Sequence, residues 1–159
     1  MHIQIKKTKP TGVIPKKSDE QAIAYDVFIP ETHRVRIGRV KIPLHIAISL
    51  PYNVEAKIEP RSGTSLKGVL GCTRVEKDKP EEERQYKRFN CNVLIGKIDP
   101  GYKDDICIIL QNFDKPFYLM KGTRIAQITF YPVLSPILDE VEELDIIDRG
   151  GGFSHSGDF

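Results

Sequence analysis

Apolar runs in this chain are short, and proline or glycine breaks nearly every one of them. Val35-Arg36-Ile37 and Val40-Lys41-Ile42 are separated by Gly38, and the run from His45 to Leu50 sits between Pro43 and a Pro51-Tyr52-Asn53 turn. Val54-Glu55-Ala56-Lys57-Ile58-Glu59 alternates apolar and charged residues strictly, the period of a half-buried strand. Residues 1–9, 22–30, 117–120 and 124–130 add further strand-like runs, and no stretch supports a long helix. Many short strands punctuated by turn residues imply an all-β sandwich or jelly roll.

At 159 residues the chain is expected to form one domain with a real core. A net charge of +2 makes no case for nucleic acid as a partner. Its apolar runs fall far short of the ~20 residues of a membrane span, so no membrane partner is expected. The Met1 to Lys7 stretch lacks the apolar core of a signal peptide. Cys72, Cys91 and Cys107 are odd in number and without CxxC spacing, which suits a reducing cytoplasm better than a disulfide scaffold or a zinc site. His2, His33, His45 and His155 do not cluster at metal-ligand spacing. Residues 70–92, crowded with charge between Arg74 and Arg88, read as an exposed insertion, either a hairpin arm or a partly disordered loop, and offer a surface to a protein partner.

Three stretches carry candidate chemistry. In Gly96-Lys97-Ile98-Asp99-Pro100-Gly101-Tyr102, proline presets φ and glycine supplies φ > 0, the signal of a type II turn. The apolar runs on either side, Val93–Ile95 and Ile106–Leu110, are expected to pair as a hairpin with Asp99 and Tyr102 at its tip. Asp favours turns and Tyr favours strands without any chemistry, so this stretch alone leaves both readings open. Asp26 sits in the apolar run from Ala22 to Pro30 and needs a partner, a polar site or exposure at a strand end, because an unpaired buried charge is costly. Arg61-Ser62-Gly63 follows the alternating strand and, besides forming an ordinary loop, offers guanidinium, hydroxyl and backbone N–H groups to an oxyanion, with one short helical turn after it. The end of the chain, from Asp148 on, is rich in Gly and Ser and cannot pack a core. It reads as a mobile arm offering Arg149, Phe153 and Ser154 to a ligand, or as a plain disordered terminus.

Taken in order, Ala-Tyr-Asp-Val, Pro-Arg-Ser-Gly, Gly-x-Ile-Asp-x-x-Tyr, Arg-x-Ala-Gln and Arg-Gly…Gly-Phe-Ser span the chain from residue 22 to its end. The series resembles the motifs of the trimeric dUTPases. The resemblance implies a jelly-roll β-sandwich of the dUTPase-like type over residues 1–147, a flexible closing arm over 148–159, and a homotrimer with shared active sites. It implies hydrolysis of dUTP to dUMP and pyrophosphate, with Mg²⁺ on the triphosphate. Asp99 would be the general base, Tyr102 would pack under the deoxyribose, and the backbone around Ile98 would read the uracil edge. Arg61, Ser62 and Gly63 would hold phosphates. Asp26 and Gln127 would reach the metal through its waters, with Arg124 supporting that wall. Arg149 would meet the γ-phosphate, Phe153 would stack on uracil, and Ser154 would lie near the phosphates. The series departs from the family at Ala24 and Asp104, where Gly is usual, and in a last motif one residue short. A dCTP deaminase shares the fold and part of two motifs, but its catalytic Glu and second Arg would fall at Ile109 and Leu66. A regulatory protein working through the 70–92 insertion is the remaining alternative.

Overall fold

A computed structural model describes residues 1–74 and 85–145. The strands come in order as β1 (Gln4–Lys7), β2 (Tyr25–Val27), β3 (His33–Val35), β4 (Gly38–Pro43), β5 (Ile46–Ser49) and β6 (Val54–Pro60). One short helix, α1 (Ser62–Lys67), follows β6. Then come β7 (Val69–Cys72), β8 (Tyr86–Phe89), β9 (Cys91–Leu94), β10 (Gly96–Ile98), β11 (Cys107–Asn112), β12 (Phe117–Leu119) and β13 (Ala126–Pro132). Four small antiparallel sheets result: β1-β5, β10-β6-β13-β2, β4-β11-β9 and β3-β12-β7-β8. They enclose one core in which Ile29, Leu44, Ile58, Ile106, Leu110 and Ile125 are buried. The chain is all-β, as its punctuation by proline and glycine implies.

The clean alternation of 54–59 becomes β6, the strand with the most consequence for the site. Val54, Ala56 and Ile58 face the core, while Lys57 and Glu59 lie on the polar face beside Thr129 and Tyr131 of β13. The expected turn forms: Gly101 has φ +86°, and the Tyr102 N–H donates to the Asp99 carbonyl at 3.2 Å. The expected hairpin around it is only partly right. Val93 and Leu94 do pair with Leu110 and Ile109, but between them the chain leaves that sheet. β10 crosses over and pairs with β6 instead, Ile98 opposite Ala56. The detour carries Asp99 from the β4-β11-β9 sheet to the start of β6, the end away from Arg61.

The charged insertion is narrower than its composition implied. β7 and β8 form a regular ladder from Val69↔Phe89 to Cys72↔Tyr86. Phe89 is buried and stacks on Phe117 with ring centroids 4.0 Å apart and planes at 9°. Cys72, Cys91 and Val93 are buried as well, so residues 70–72 and 86–92 belong to the sandwich. Gly68 closes α1 with φ +75°, and a Cβ there would lie 2.4 Å from the Phe89 carbonyl oxygen, so helix end and β8 meet where no side chain fits. The stack yields a direct test. Phe89→Ala should cost about 3–5 kcal/mol, the range for emptying a large aromatic site, read as a lowered midpoint in urea unfolding. A loss under about 1 kcal/mol would return this segment to the surface.

Candidate active site

Asp26 lies on β2, 6% exposed, in a strand whose neighbours Val27 and Ile29 are core residues. Its charge is matched twice. Arg61 Nε lies 2.7 Å from Oδ1, and Arg124 Nη1 lies 2.9 Å from Oδ2. Arg61 also donates through Nη1 to the Arg124 carbonyl at 3.3 Å, and its backbone N–H donates to the Ile125 carbonyl. The carboxylate therefore ties β2, the end of β6 and the entry of β13 into one corner. Gln127 stands across the ladder from both Asp26 and Glu59. Of the states open to Asp26 from sequence, it takes the paired one.

Around this corner opens a cleft of about 1090 Å³, lined among others by Asp26, Arg61, Ser62, Gly63, Arg124 and Gln127. Three separate motifs thus meet in one concavity. Both guanidiniums are partly exposed to it, at 33% and 45% of their side-chain surface, so they retain donors for an anion while Asp26 fixes their positions. Tyr86 and Arg88 line the same cleft, and Arg88 donates to the Gly68 carbonyl at 3.0 Å. Both fall within the stretch read as insertion. Their alternation on a strand was the available signal, masked by the charges before them.

Asp99, Tyr102 and Ile98 lie elsewhere on the protomer. Asp99 and Tyr102 are exposed on the turn, and Ile98 is buried beneath it. Ile98 and Tyr102 line a second, more apolar cavity of about 450 Å³ with Ile58, Ile106, Cys107 and Ile109. Since Ile98 pairs with Ala56 and Arg61 follows the far end of β6, the two sites stand on the order of 15–20 Å apart along that strand. Lys97, beside Asp99, is anchored through its Nζ 2.6 Å from Glu55 Oε2, while Lys57 Nζ lies 3.0 Å from Oε1. The hydrogen bonds from Lys97 and Lys57 hold the Glu55 carboxyl below its usual range, and the bond to Glu55 raises the Lys97 ammonium above its own. Lys97 thus stays cationic next to Asp99. Burial pushes the Cys107 thiol up, so it remains an S–H donor, directed to the Asp105 carbonyl at 3.3 Å. Arg149, Phe153 and Ser154 lie outside the described residues.

No group of three or more His, Cys, Asp and Glu side chains capable of holding a metal ion occurs among the described residues. The donors fit an outer role. Asp26 accepts one guanidinium on each oxygen, and a carboxylate has about four lone-pair positions, so each oxygen retains capacity for a water.

Comparison with known proteins joins these pieces. A dUTPase family model matches residues 85–157. The deoxyuridine 5′-triphosphate nucleotidohydrolase of Crocosphaera subtropica is 34% identical over 160 residues, covering 99% of this chain and 99% of its own. That of Clostridium tetani is 33% identical, covering 98% and 96%. The fold matches the Staphylococcus bacteriophage 80alpha dUTPase with dUPNHPP at a TM-score of 0.76 and 22% identity, over 98% of each chain. It also matches a mutant dUTPase from phage phi11 of S. aureus, whose structure holds a structural Mg(II) ion. That match has a TM-score of 0.74 and 19% identity, over 92% of this chain and 100% of the other. A jelly-roll sandwich carrying these motifs in order is a nucleotidohydrolase of the dUTPase type. The chain belongs to the dUTPase family.

The Asp26 corner makes a prediction of its own. Asp26→Ala leaves two guanidiniums facing each other without their counter-charge and should cost about 3 kcal/mol. Adding Arg61→Ala and Arg124→Ala should remove much of that penalty, because the three groups act as a unit. Denaturant unfolding of the single, double and triple variants checks it; strictly additive losses would mean that the three are independent.

Proposed function

We propose that this chain hydrolyses dUTP to dUMP and pyrophosphate as a homotrimer. The observation that carries this reading is the ordered set of dUTPase motifs whose polar members converge on the Asp26 corner and on the Asp99 turn. Arg61, Ser62 and Gly63 bind the phosphates, with Arg124 supporting the wall. Tyr102 packs under the deoxyribose, and the backbone at Ile98 reads the uracil edge. Asp99 orients a water towards the α-phosphorus and takes its proton as the water oxygen bonds. The bond from that phosphorus to the bridging oxygen breaks, and pyrophosphate leaves. Such a transfer needs little covalent help from the protein; charge stabilisation and a positioned water supply most of the acceleration. Magnesium on the triphosphate would neutralise charge, and Asp26 and Gln127 would meet it through its water shell. Arg149 on the γ-phosphate, with Phe153 and Ser154 over the nucleotide, completes the reading as the closing arm.

Reach supports an assembly in which copies share sites. A general base works within hydrogen-bond distance of the water it activates. Within one protomer Asp99 is too far from the Arg61 cleft for both to serve one triphosphate, so a second copy must bring the complementary half. The segment after β13 fits this picture: Leu134, Ile137 and Leu138 are 94%, 87% and 89% exposed, apolar surface that their own protomer leaves uncovered. A cytoplasmic location accords with the free thiols of Cys91 and Cys107 and with the nucleotide substrate. The deaminase alternative finds no support, since positions 66 and 109 hold exposed Leu and Ile.

Pyrophosphate release measured across dUTP, dCTP, dTTP and UTP should be fastest with dUTP. Asp99→Asn should fold and bind nucleotide but lose about 10²–10⁴-fold in kcat; near-normal turnover would remove Asp99 from its role. A chain ending at Asp148 should trimerise yet turn over poorly. Refolded together with Asp99→Asn chains, it should recover activity, because some sites then pair an intact base with an intact arm from another chain. Hybrid trimers without recovery would mean that the arm serves its own subunit.

A further inference from the structure

Asp105 is a junction that the motif series does not contain. Its carbonyl accepts two hydrogen bonds, from the Tyr102 hydroxyl at 3.1 Å and from the Cys107 thiol at 3.3 Å. Its carboxylate oxygen Oδ1 accepts the hydroxyl of Thr8, which lies 97 residues earlier, just past the end of β1. Both sides of that contact rest on β5 and the residue before it. The Thr8 N–H donates to the His45 carbonyl at 3.0 Å, and the Ile106 N–H donates to the Ile46 carbonyl at 2.9 Å. Ile106 is fully within the core, and His45 is buried with its ring nitrogen 2.8 Å from the Thr11 hydroxyl.

The Tyr102 side chain is therefore tethered at both ends: at its Cα by the turn, where its N–H meets the Asp99 carbonyl, and at its hydroxyl by Asp105. Between the two, Lys103 and Asp104 are exposed and belong to no strand or helix. Backbone in that state holds its orientation poorly without help. The Thr8 hydroxyl supplies the help, fastening the Asp105 residue to β1 and β5 from outside the turn. A ring that excludes a 2′-hydroxyl by clash does so only while its position is fixed, since exclusion by contact is steep in distance.

We propose that Thr8 and Asp105 are positioning residues that set the Tyr102 ring and so determine how sharply ribose is rejected in favour of deoxyribose; this rests on the dUTP reading above. Their part is to act through the Asp105 carbonyl and not on the nucleotide directly.

Steady-state kinetics with dUTP and UTP test this in Thr8→Val, Thr8→Ser, Tyr102→Phe and the Thr8→Val/Tyr102→Phe double variant. Thr8→Val keeps shape and loses the donor. It should leave kcat on dUTP within about two-fold of the parent and lower the dUTP-to-UTP ratio of kcat/KM by about ten-fold, the scale of one hydrogen bond to a charged group. Thr8→Ser should restore the ratio. Tyr102→Phe should lower it similarly, and the double variant should lose no more than either single one, because both changes cut the same path. An unchanged ratio in a folded Thr8→Val trimer, or losses that multiply in the double variant, overturns the proposal. NMR of ¹³C-tyrosine-labelled protein, with Tyr102 assigned through Tyr102→Phe, gives a reading that needs no turnover. The Tyr102 ring signal should shift or broaden in Thr8→Val and recover in Thr8→Ser; a ring signal that does not move also overturns the proposal. A parent chain inactive on dUTP would sink the function instead, and the ring signal would still decide the latch.

Discussion

Burying a carboxylate almost wholly is costly unless the protein brings opposite charge to it, and Asp26 determines much of the surrounding architecture through that demand. It sits on a three-residue strand paired with β13 on one side and bridged to Lys16 on the other. Arg61 reaches it from the end of β6 and Arg124 from the loop before β13. Those are the strands that flank the cleft, so the pairing that makes burial tolerable also fixes the cleft's width. The same arrangement leaves the outer donors of both guanidiniums towards solvent. A structural obligation and a surface with guanidinium donors facing solvent are met by one set of three residues.

The second constraint is topological. β9 and β11 form a broad hairpin, and a plain tip would leave Asp99 above the sheet that they share with β4. Sending Gly96–Ile98 across to β6 changes the outcome. Ile98 becomes a buried plug under the turn, Lys97 comes within reach of Glu55, and Asp99 emerges at the edge where two sheets meet. The turn itself then needs Pro100 and Gly101 to reverse the chain at once, with Gly101 in the left-handed region. Exposed turns that carry polar groups are usually held by their scaffold. Here the scaffold includes a strand borrowed from the other sheet.

Local signals were legible in the sequence, and non-local ones were not. Strict alternation marked β6, Pro-Gly marked the Asp99 turn, and the polar Arg61–Gly63 stretch marked the entry to α1, because each depends on residues adjacent in the chain. Asp26 announced its need for a partner, but not that Arg61 and Arg124 would share it. The crossing of β10 left no trace, since Gly96-Lys97-Ile98 suits a hairpin with β11 and a ladder with β6 equally well. β7 and β8 were hidden for a different reason: the charges between them outweighed the apolar residues Val69, Phe89 and Cys91 in any reading by composition. The contact between Thr8 and Asp105 joins two polar residues of ordinary turns, and nothing in either neighbourhood points to the other.

The distance between the two halves of the site along β6 has an energetic consequence. A protomer that held Asp99 beside its own arginine cleft would gather the phosphate cations and the base carboxylate in one pocket, where Asp99 could compete with Asp26 for Arg61 or Arg124. A base captured in an ion pair is a poor proton acceptor, because the cation stabilises its charged form. Placing the groups at opposite ends of one strand keeps Asp99 out of reach of those arginines within a protomer. In the proposed trimer, Asp99 of one copy would meet the arginines of another only on assembly. In this view the exposed apolar segment carrying Leu134, Ile137 and Leu138 is more than surface awaiting cover. Its burial against another copy would supply the driving force, and the active site would be completed by the same event.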